Sequence, residues 1–524
     1  MEMRSEHARK RWFYPIFIVT IGLCYYITYF NYGINLGDEG FFVYGAERVL
    51  HGQLPMSDFM AYTPGSYFML ALLFRVFGTH LWVSRFMEIA FLLLNGLLIF
   101  YVSRRLMPDS WALIPSFILV LFPGPWYKIF FTFGLLLSLF SLFRFLEKGT
   151  TGRVMMVGAS IGISLLFKLE SGLYSSVAVG VAIFLNHVWK DGHFLLRRRA
   201  LWDFTKDIFF CSIGFLGVLS PFLIYYISHS ALLKSFYTLR ERYESQAIGW
   251  VGEMFEKPSL LSAVTKFQFG GLKHLFFYLI VILYLYVFFK VITYLFIQKR
   301  KDFSLLLPVL ILGLLSLTYA YIAFSKAYLL HSVAMAYILF GFVLHSYVRK
   351  RGVRSRVLLI FLLLLLGLYV IDNLKMRGYH SGNINMLFRI EREGASLVES
   401  KKARVYVPYK QLDTINGLTQ FFKGKDGYLL PLPYDPMVNF LTGLQNPTRF
   451  SFLIPPFLSE VSRQKEVINE VERYKIHYLL IHRLLWISAG EQGFSSYAPI
   501  LYEFISRHYQ LEKEIGGYLI FSRQ

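Results

Sequence analysis

Long apolar runs recur along this chain, and short basic connections separate them. Crossing a hydrocarbon core of about 30 Å as a helix takes roughly 20 apolar residues. Runs of about that reach fall at 12–33, 81–103, 110–126, 129–146, 154–169, 171–188, 207–228, 274–297, 303–325, 328–347 and 355–373, which makes eleven. Composition agrees: 55% of the 524 residues are hydrophobic and only 17% are charged, against about 25% charged in soluble domains. The expected fold is an α-helical polytopic membrane protein with about eleven transmembrane helices.

The basic residues set its orientation. Every second connection is basic: Arg9-Lys10-Arg11, Arg104-Arg105, Arg144 with Lys148 and Arg153, Arg197-Arg198-Arg199, Lys299-Arg300-Lys301, and Arg349-Lys350-Arg351 with Arg354 and Arg356. The positive-inside rule places those connections, and the amino terminus, in the cytoplasm. The first loop (34–80), the segment 229–273 and everything after 374 are then outside. The formal charge of +21 therefore reads as topology and membrane-lipid contact, not as nucleic-acid binding. Cys24 and Cys211 both lie in apolar runs, so neither a disulfide framework nor a Cys/His zinc spacing is present. The first apolar run is long and lacks a small-residue cleavage pattern, so it reads as a retained helix.

Carboxylates concentrate in the first loop, NLGDEGFFVYGAERVLHGQLPMSDFMAYTPGSYFMLALLFRVFG. Asp38 and Glu39 follow the first span almost at once. An amphipathic helix should come next, with Phe42, Val43, Ala46, Val49 and Leu50 on one arc and Tyr44, Glu47 and Arg48 on the other, lying in the membrane interface. Asp58 follows a polar turn. The run 64–77 reaches only about 21 Å as a helix, too short to span, and reads as a second interfacial helix with Pro64 at its first position. A bland role competes at each carboxylate. Asp38 has the residue type of a helix N-cap, Glu47 could pair with Arg48 or Arg75, and Asp58 could be a solvated loop charge. Arg85 and Glu88, one turn apart, are expected to pair with each other.

From Lys375 the character changes, with charged residues and prolines returning. Strands are expected at 404–407, 428–430, 478–481 and 518–521, and helices at 459–474 and 497–508. The chain should therefore divide into a membrane domain (1–374) and a small C-terminal α/β domain (375–524). The stretch GLQNPTR (443–449) reads as a structural turn.

Together, GDEGFFVYGAERVLHGQLPMSDF and TPGSYFMLALLFRVFG resemble the first outer loop of the GT-C membrane glycosyltransferases. The likeness is to the branch holding protein O-mannosyltransferases, the lipid A aminoarabinose transferase and bacterial lipopolysaccharide-core sugar transferases. The resemblance implies a many-span fold, a catalytic first loop, a bacterial inner-membrane location and a polyprenyl-phosphate-linked sugar donor. The acceptor would be a lipid, glycan or protein. It implies Asp38 as the base or acceptor-positioning group, Glu39 beside it, and Glu47 and Asp58 as secondary polar contacts. FKLESGLYS, with Lys168 and Glu170, resembles the family's outer turn between middle spans. SKAYLLH, with Lys326 and His331, resembles the place where members carry a basic residue and a His facing the donor. The aminoarabinose transferase has a Lys before the proline that opens its second loop helix, whereas this chain has Tyr62-Thr63-Pro64. Donor-phosphate contact would then fall to Lys168, Lys326 or Arg85. No cofactor is required by these residues, and a divalent metal stays open because related folds differ in metal use.

The expected function is transfer of a sugar at the outer face of the membrane. The alternatives are a transporter or flippase for lipid-linked glycans, or a non-catalytic assembly protein. The first needs charges in mid-span; the second gives no reason for a carboxylate-rich loop.

Overall fold

The computed structural model describes residues 2–122, 129–190, 193–241, 272–298, 303–322, 333–349, 391, 394–487 and 493–524. In chain order its first helices are α1 (Glu2–Ile27), α2 (Asp38–Leu50), α3 (Gly65–Phe77), α4 (Leu81–Ser103), α5 (Asp109–Leu121), α6 (Ile129–Glu147), α7 (Thr151–Phe167), α8 (Leu169–Val188) and α9 (Arg198–Ser228). Helices at Leu272–Ile292, Phe303–Ile322 and Ala334–Val348 follow. Each of the ten apolar runs expected before residue 350 overlaps one of these helices over its described residues; the eleventh, 355–373, lies outside the described residues. Among the described residues five helices are long and apolar enough to cross a membrane: Leu81–Ser103, Ile129–Glu147, Leu169–Val188, Arg198–Ser228 and Tyr278–Ile297. The chain divides into two compact units, Met1–Thr28 with Glu88–Ile224 and Phe255–Arg377, and Tyr29–Met87 with Tyr225–Met254 and Gly378–Gln524.

Among its described residues the first unit is helical, apart from a two-residue strand pair, β1 (Trp189–Lys190) and β2 (His193–Phe194), between α8 and α9. Lipid offers no hydrophobic drive between helices, so close contact depends on small residues and on shared hydrogen bonds. Both occur here. Ser164 Oγ donates to the Gly134 carbonyl of α6 at 2.9 Å and lies 3.2 Å from Ser138 Oγ. Gly158 of α7 sits flush on α9: an added Cβ would come within 1.7 Å of the Cys211 carbonyl oxygen. Gly214 of α9 meets α7 in the same way, at 1.9 Å from the Met155 carbonyl oxygen. Aromatic packing fills the wider gaps, with the Phe91 ring edge-on to Phe130 and Phe133 at 5.0 and 4.9 Å.

The second unit contains the tail's mixed sheet, ordered β5 (Leu429–Leu432), β6 (Tyr478–His482), β8 (Tyr518–Arg523), β7 (Tyr509–Ile515), with β5 parallel to β6 and the other pairs antiparallel. A separate hairpin pairs β3 (Ala395–Glu399) with β4 (Arg404–Pro408). Successive strand residues point to opposite faces, and both faces of this sheet are covered. Leu430, Leu479, Ile481 and Phe521 meet Val467 and Val471 of helix Val461–Arg473 and Leu501 and Ile505 of helix Pro499–His508. Leu429, Leu480 and Ile520 meet Leu418 and Phe422 of helix Tyr409–Phe422 and Val438 of helix Met437–Thr442. Double coverage explains why β5, β6 and β8 read as continuous apolar runs in the sequence.

The loop helices α2 and α3 belong to this unit together with the tail. Helix α3 begins at Gly65, and Pro64 is its N-cap residue, one place earlier than expected.

Candidate active site

Gly37 is the N-cap residue of α2, and the Asn35 side chain two places earlier anchors the start of the helix. The Asn35 Oδ1 accepts from the amides of Gly37 and Asp38 at 3.0 and 2.9 Å. The N-cap position that the sequence offered to Asp38 thus falls to Gly37, and Asp38 is instead the first helical residue. Asp38 and Glu39 both stand in the first turn, where the helix dipole favours negative charge.

The two adjacent carboxylates have different surroundings. Glu39 is buried and receives the Arg85 fork: Nε donates to Oε1 at 2.8 Å and Nη2 to Oε2 at 3.1 Å. The backbone amide of Asn35 donates to the same Oε2 at 3.1 Å. Arg85, only 1% exposed, also donates to the carbonyls of Phe30 and Gly33, both at 2.6 Å. The fork of Arg85 closes on Glu39, a partner the sequence did not single out, and the buried guanidinium braces the loop. Asp38 is half-buried, and the Tyr434 hydroxyl donates to its Oδ1 at 2.9 Å. The Tyr434 ring packs against Phe41 and Phe452, with centroids 5.8 and 5.0 Å away.

The polar arc of α2 is buried too, which corrects the interfacial-helix expectation: residues 39–48 are all covered. Tyr44 Oη accepts from the Asn446 amide at 2.6 Å, and Glu47 pairs with Lys402 instead of Arg48 or Arg75. Arg48 donates to the Thr448 carbonyl at 2.9 Å and to Gln53 Oε1 at 2.6 Å, with its guanidinium 4.5 Å from the Phe59 ring centroid. Burial lowers the Arg48 pKa from its ordinary value, and the charges of Tyr44 and Asp58 oppose that shift. The stretch 443–449, expected as a turn, supplies both backbone partners. Asp58 is exposed and closes the turn after α2, its Oδ2 accepting from the Leu54 amide at 2.8 Å.

Of segment 229–273, residues 232–241 form a helix, and 242–271 lie outside the described residues. Glu241, the last described residue there, accepts from Arg449 at 2.8 Å and Arg463 at 2.7 Å. Burial raises its carboxyl, but the two arginines together outweigh burial and hold it below the usual range.

Lys168 is the junction between α7 and α8, Glu170 stands in the first turn of α8 with the two side chains 3.4 Å apart, and both belong to the first unit. Lys326 and His331 lie outside the described residues. Asp38, Glu39, Glu47, Asp58 and Arg85 all belong to the second unit, where Glu39 and Arg85 are in direct contact. Among the described residues no three His, Cys, Asp or Glu side chains are grouped to hold a metal ion.

Solved structures show the same fold over nearly the whole chain. ArnT from Cupriavidus metallidurans, bound to undecaprenyl phosphate, is 12% identical, with a TM-score of 0.56 and 97% of each chain covered. The archaeal oligosaccharyltransferase AglB from Archaeoglobus fulgidus, in complex with an inhibitory peptide and a dolichol-phosphate, is 10% identical with a TM-score of 0.55, covering 98% of this chain and 74% of that one. The chain has the fold of the GT-C glycosyltransferases. The family described as dolichyl-phosphate-mannose-protein mannosyltransferase matches residues 61–225. No curated protein matches it.

The sequence reading missed Asn35, Lys402 and Tyr434 as partners of the loop. One signal was present: glycines flank the acidic pair at 37 and 40, and both mark backbone contact with the tail. An added Cβ on Gly37 would come within 2.9 Å of the Tyr434 ring, and one on Gly40 within 2.2 Å of the Met437 amide nitrogen.

Proposed function

We propose that this protein is an integral-membrane glycosyltransferase moving a sugar from a polyprenyl-phosphate donor to an acceptor at the outer face of the membrane. The supporting observation is the division of labour in the acidic pair. Glu39 is neutralised inside the loop by Arg85, while Asp38 is only half-buried and is oriented by a hydroxyl.

In the proposed step Asp38 takes the proton of an acceptor hydroxyl. The acceptor oxygen forms a bond to the anomeric carbon with inversion. The bond between that carbon and the phosphate oxygen breaks, and its electron pair leaves with the polyprenyl phosphate. A positioned carboxylate contributes about 10²–10⁴-fold as general base. The phosphate needs cationic partners, and Lys168, Lys326 and His331 are the residues proposed for it. Undecaprenyl phosphate and dolichol-phosphate in structures of the same fold support a lipid-linked donor.

The test is transfer by purified, reconstituted protein from radiolabelled undecaprenyl-phosphate sugars to extracted envelope lipids and glycans. Asp38→Asn should abolish transfer without loss of folded protein. Normal transfer by that variant would overturn the assignment.

A further inference from the structure

We propose that Tyr434 is a positioning residue for the Asp38 carboxylate, so that the tail segment 433–437 completes the active site. The inference rests on Asp38 being the reacting carboxylate.

Four observations place the segment against the acidic pair. Tyr434 Oη donates to Asp38 Oδ1 at 2.9 Å. Three residues on, the Met437 amide donates to the Leu36 carbonyl at 3.0 Å, pinning the segment to the residue before Gly37. Gly37 and Gly40 lie flush on it, with no room for a Cβ at either position. The Tyr434 ring is held by Phe41 from α2 and Phe452 from the tail, so the hydroxyl cannot swing away without breaking aromatic packing. The segment leaves the end of β5, whose residues are buried in the sheet. A rigid strand end therefore delivers the hydroxyl.

Chemistry gives this contact a purpose. A carboxylate on the first turn of a helix keeps side-chain rotamer freedom, and a general base must hold a narrow geometry toward the attacking oxygen. A hydroxyl donating to one carboxylate oxygen selects a single rotamer. Its removal leaves the charge in place and the geometry loose. The rate of the chemical step should fall while substrate affinity stays.

The test uses the full-length protein, reconstituted, with radiolabelled undecaprenyl-phosphate sugars as donor and extracted envelope glycolipid as acceptor. Tyr434→Phe keeps both ring contacts and removes only the hydroxyl. Loss of a hydrogen bond to a charged group predicts kcat lower by about 10- to 100-fold. The KM for donor should change by less than about twofold, since no ground-state contact to donor is removed. Wild-type kcat in Tyr434→Phe alongside an inactive Asp38→Asn overturns this inference alone. An active Asp38→Asn overturns the underlying reading of Asp38. If Tyr434→Phe fails to fold, Phe452→Leu decides: it loosens the ring without touching the hydroxyl, and an unchanged kcat there overturns the proposal.

Discussion

The Arg85 guanidinium closes on the Glu39 carboxylate through two hydrogen bonds of 2.8 and 3.1 Å, and both side chains are buried. Arg85 is the fifth residue of α4, while Glu39 stands in the first turn of α2, so the pair ties the two ends of the loop together. Arg85 also donates to the carbonyls of Phe30 and Gly33, which fastens the chain just before α2.

Removing one partner of a buried pair costs about 3–5 kcal/mol, because the other charge is left without compensation. Arg85→Leu strands Glu39 and also frees two carbonyls. Glu39→Gln leaves Arg85 those carbonyls and an amide oxygen. Thermal unfolding in detergent should show Arg85→Leu as clearly the more destabilising of the two. Equal unfolding midpoints would mean that the carbonyl contacts carry no weight.

Gly40 and Gly217 make a matched pair of opposite expectation. A Cβ on Gly40 would overlap the Met437 backbone, whereas nothing lies within 4 Å of one on Gly217 in α9. Gly40→Ala should therefore cost about 1–3 kcal/mol or more as overpacking and reduce transfer by displacing the loop from the tail. Gly217→Ala should stabilise its helix by up to about 1 kcal/mol. Unfolding midpoints measured side by side check both signs.

Helix positions were legible because apolar runs of spanning length are a strong signal, and nearly every such run lies on a helix. Strands β5, β6 and β8 were legible for the same reason, since burial on both faces leaves them continuously apolar. Strand β7 was not: Tyr509 is buried, but Gln510–Glu514 are exposed on a sheet edge, so no alternation survives. The Asp-Glu pair was found, but its partners were not. Asn35 lies close in sequence and could have been read as an anchor of the helix start. Tyr434 and Lys402 lie hundreds of residues away, and only the fold brings them to the loop. The same distance explains why the polar arc of α2 looked solvent-facing. Tyr44, Glu47 and Arg48 are a polar face in sequence, yet they meet tail backbone and Lys402 in the structure.

The Asn35 side chain holds the amides of the N-cap residue Gly37 and of Asp38, so the strength of that anchor should appear in catalysis. Asn35→Ala removes the acceptor and costs about 1 kcal/mol of helix-end stability. The first turn then frays, and Asp38 with it. Transfer by Asn35→Ala should fall severalfold, and Asn35→Ser, which restores a side-chain oxygen, should recover most of the loss. An Asn35→Ala enzyme with full kcat would show that Asp38 is held without that anchor.

Asp435, between Tyr434 and Pro436, gives the tail a pH dependence. Burial pushes its carboxyl up to about 6, against a smaller opposing effect of its hydrogen bond from Tyr518. In the unfolded chain an aspartate titrates near 3.9. The folded state thus prefers the protonated form. That preference contributes its full stability below about pH 4, and the contribution is lost as pH rises through about 6. The shift corresponds to at most about 3 kcal/mol, less in practice because the side chain keeps some solvent contact. Asp435→Asn is neutral at every pH and keeps an oxygen for Tyr518. The variant should unfold at higher temperature than wild type at pH 8, with the gap closing toward pH 4. Thermal unfolding of both proteins at pH 4, 6 and 8 measures it, and coincident midpoints at pH 8 would show that the Asp435 carboxylate is not strained by burial.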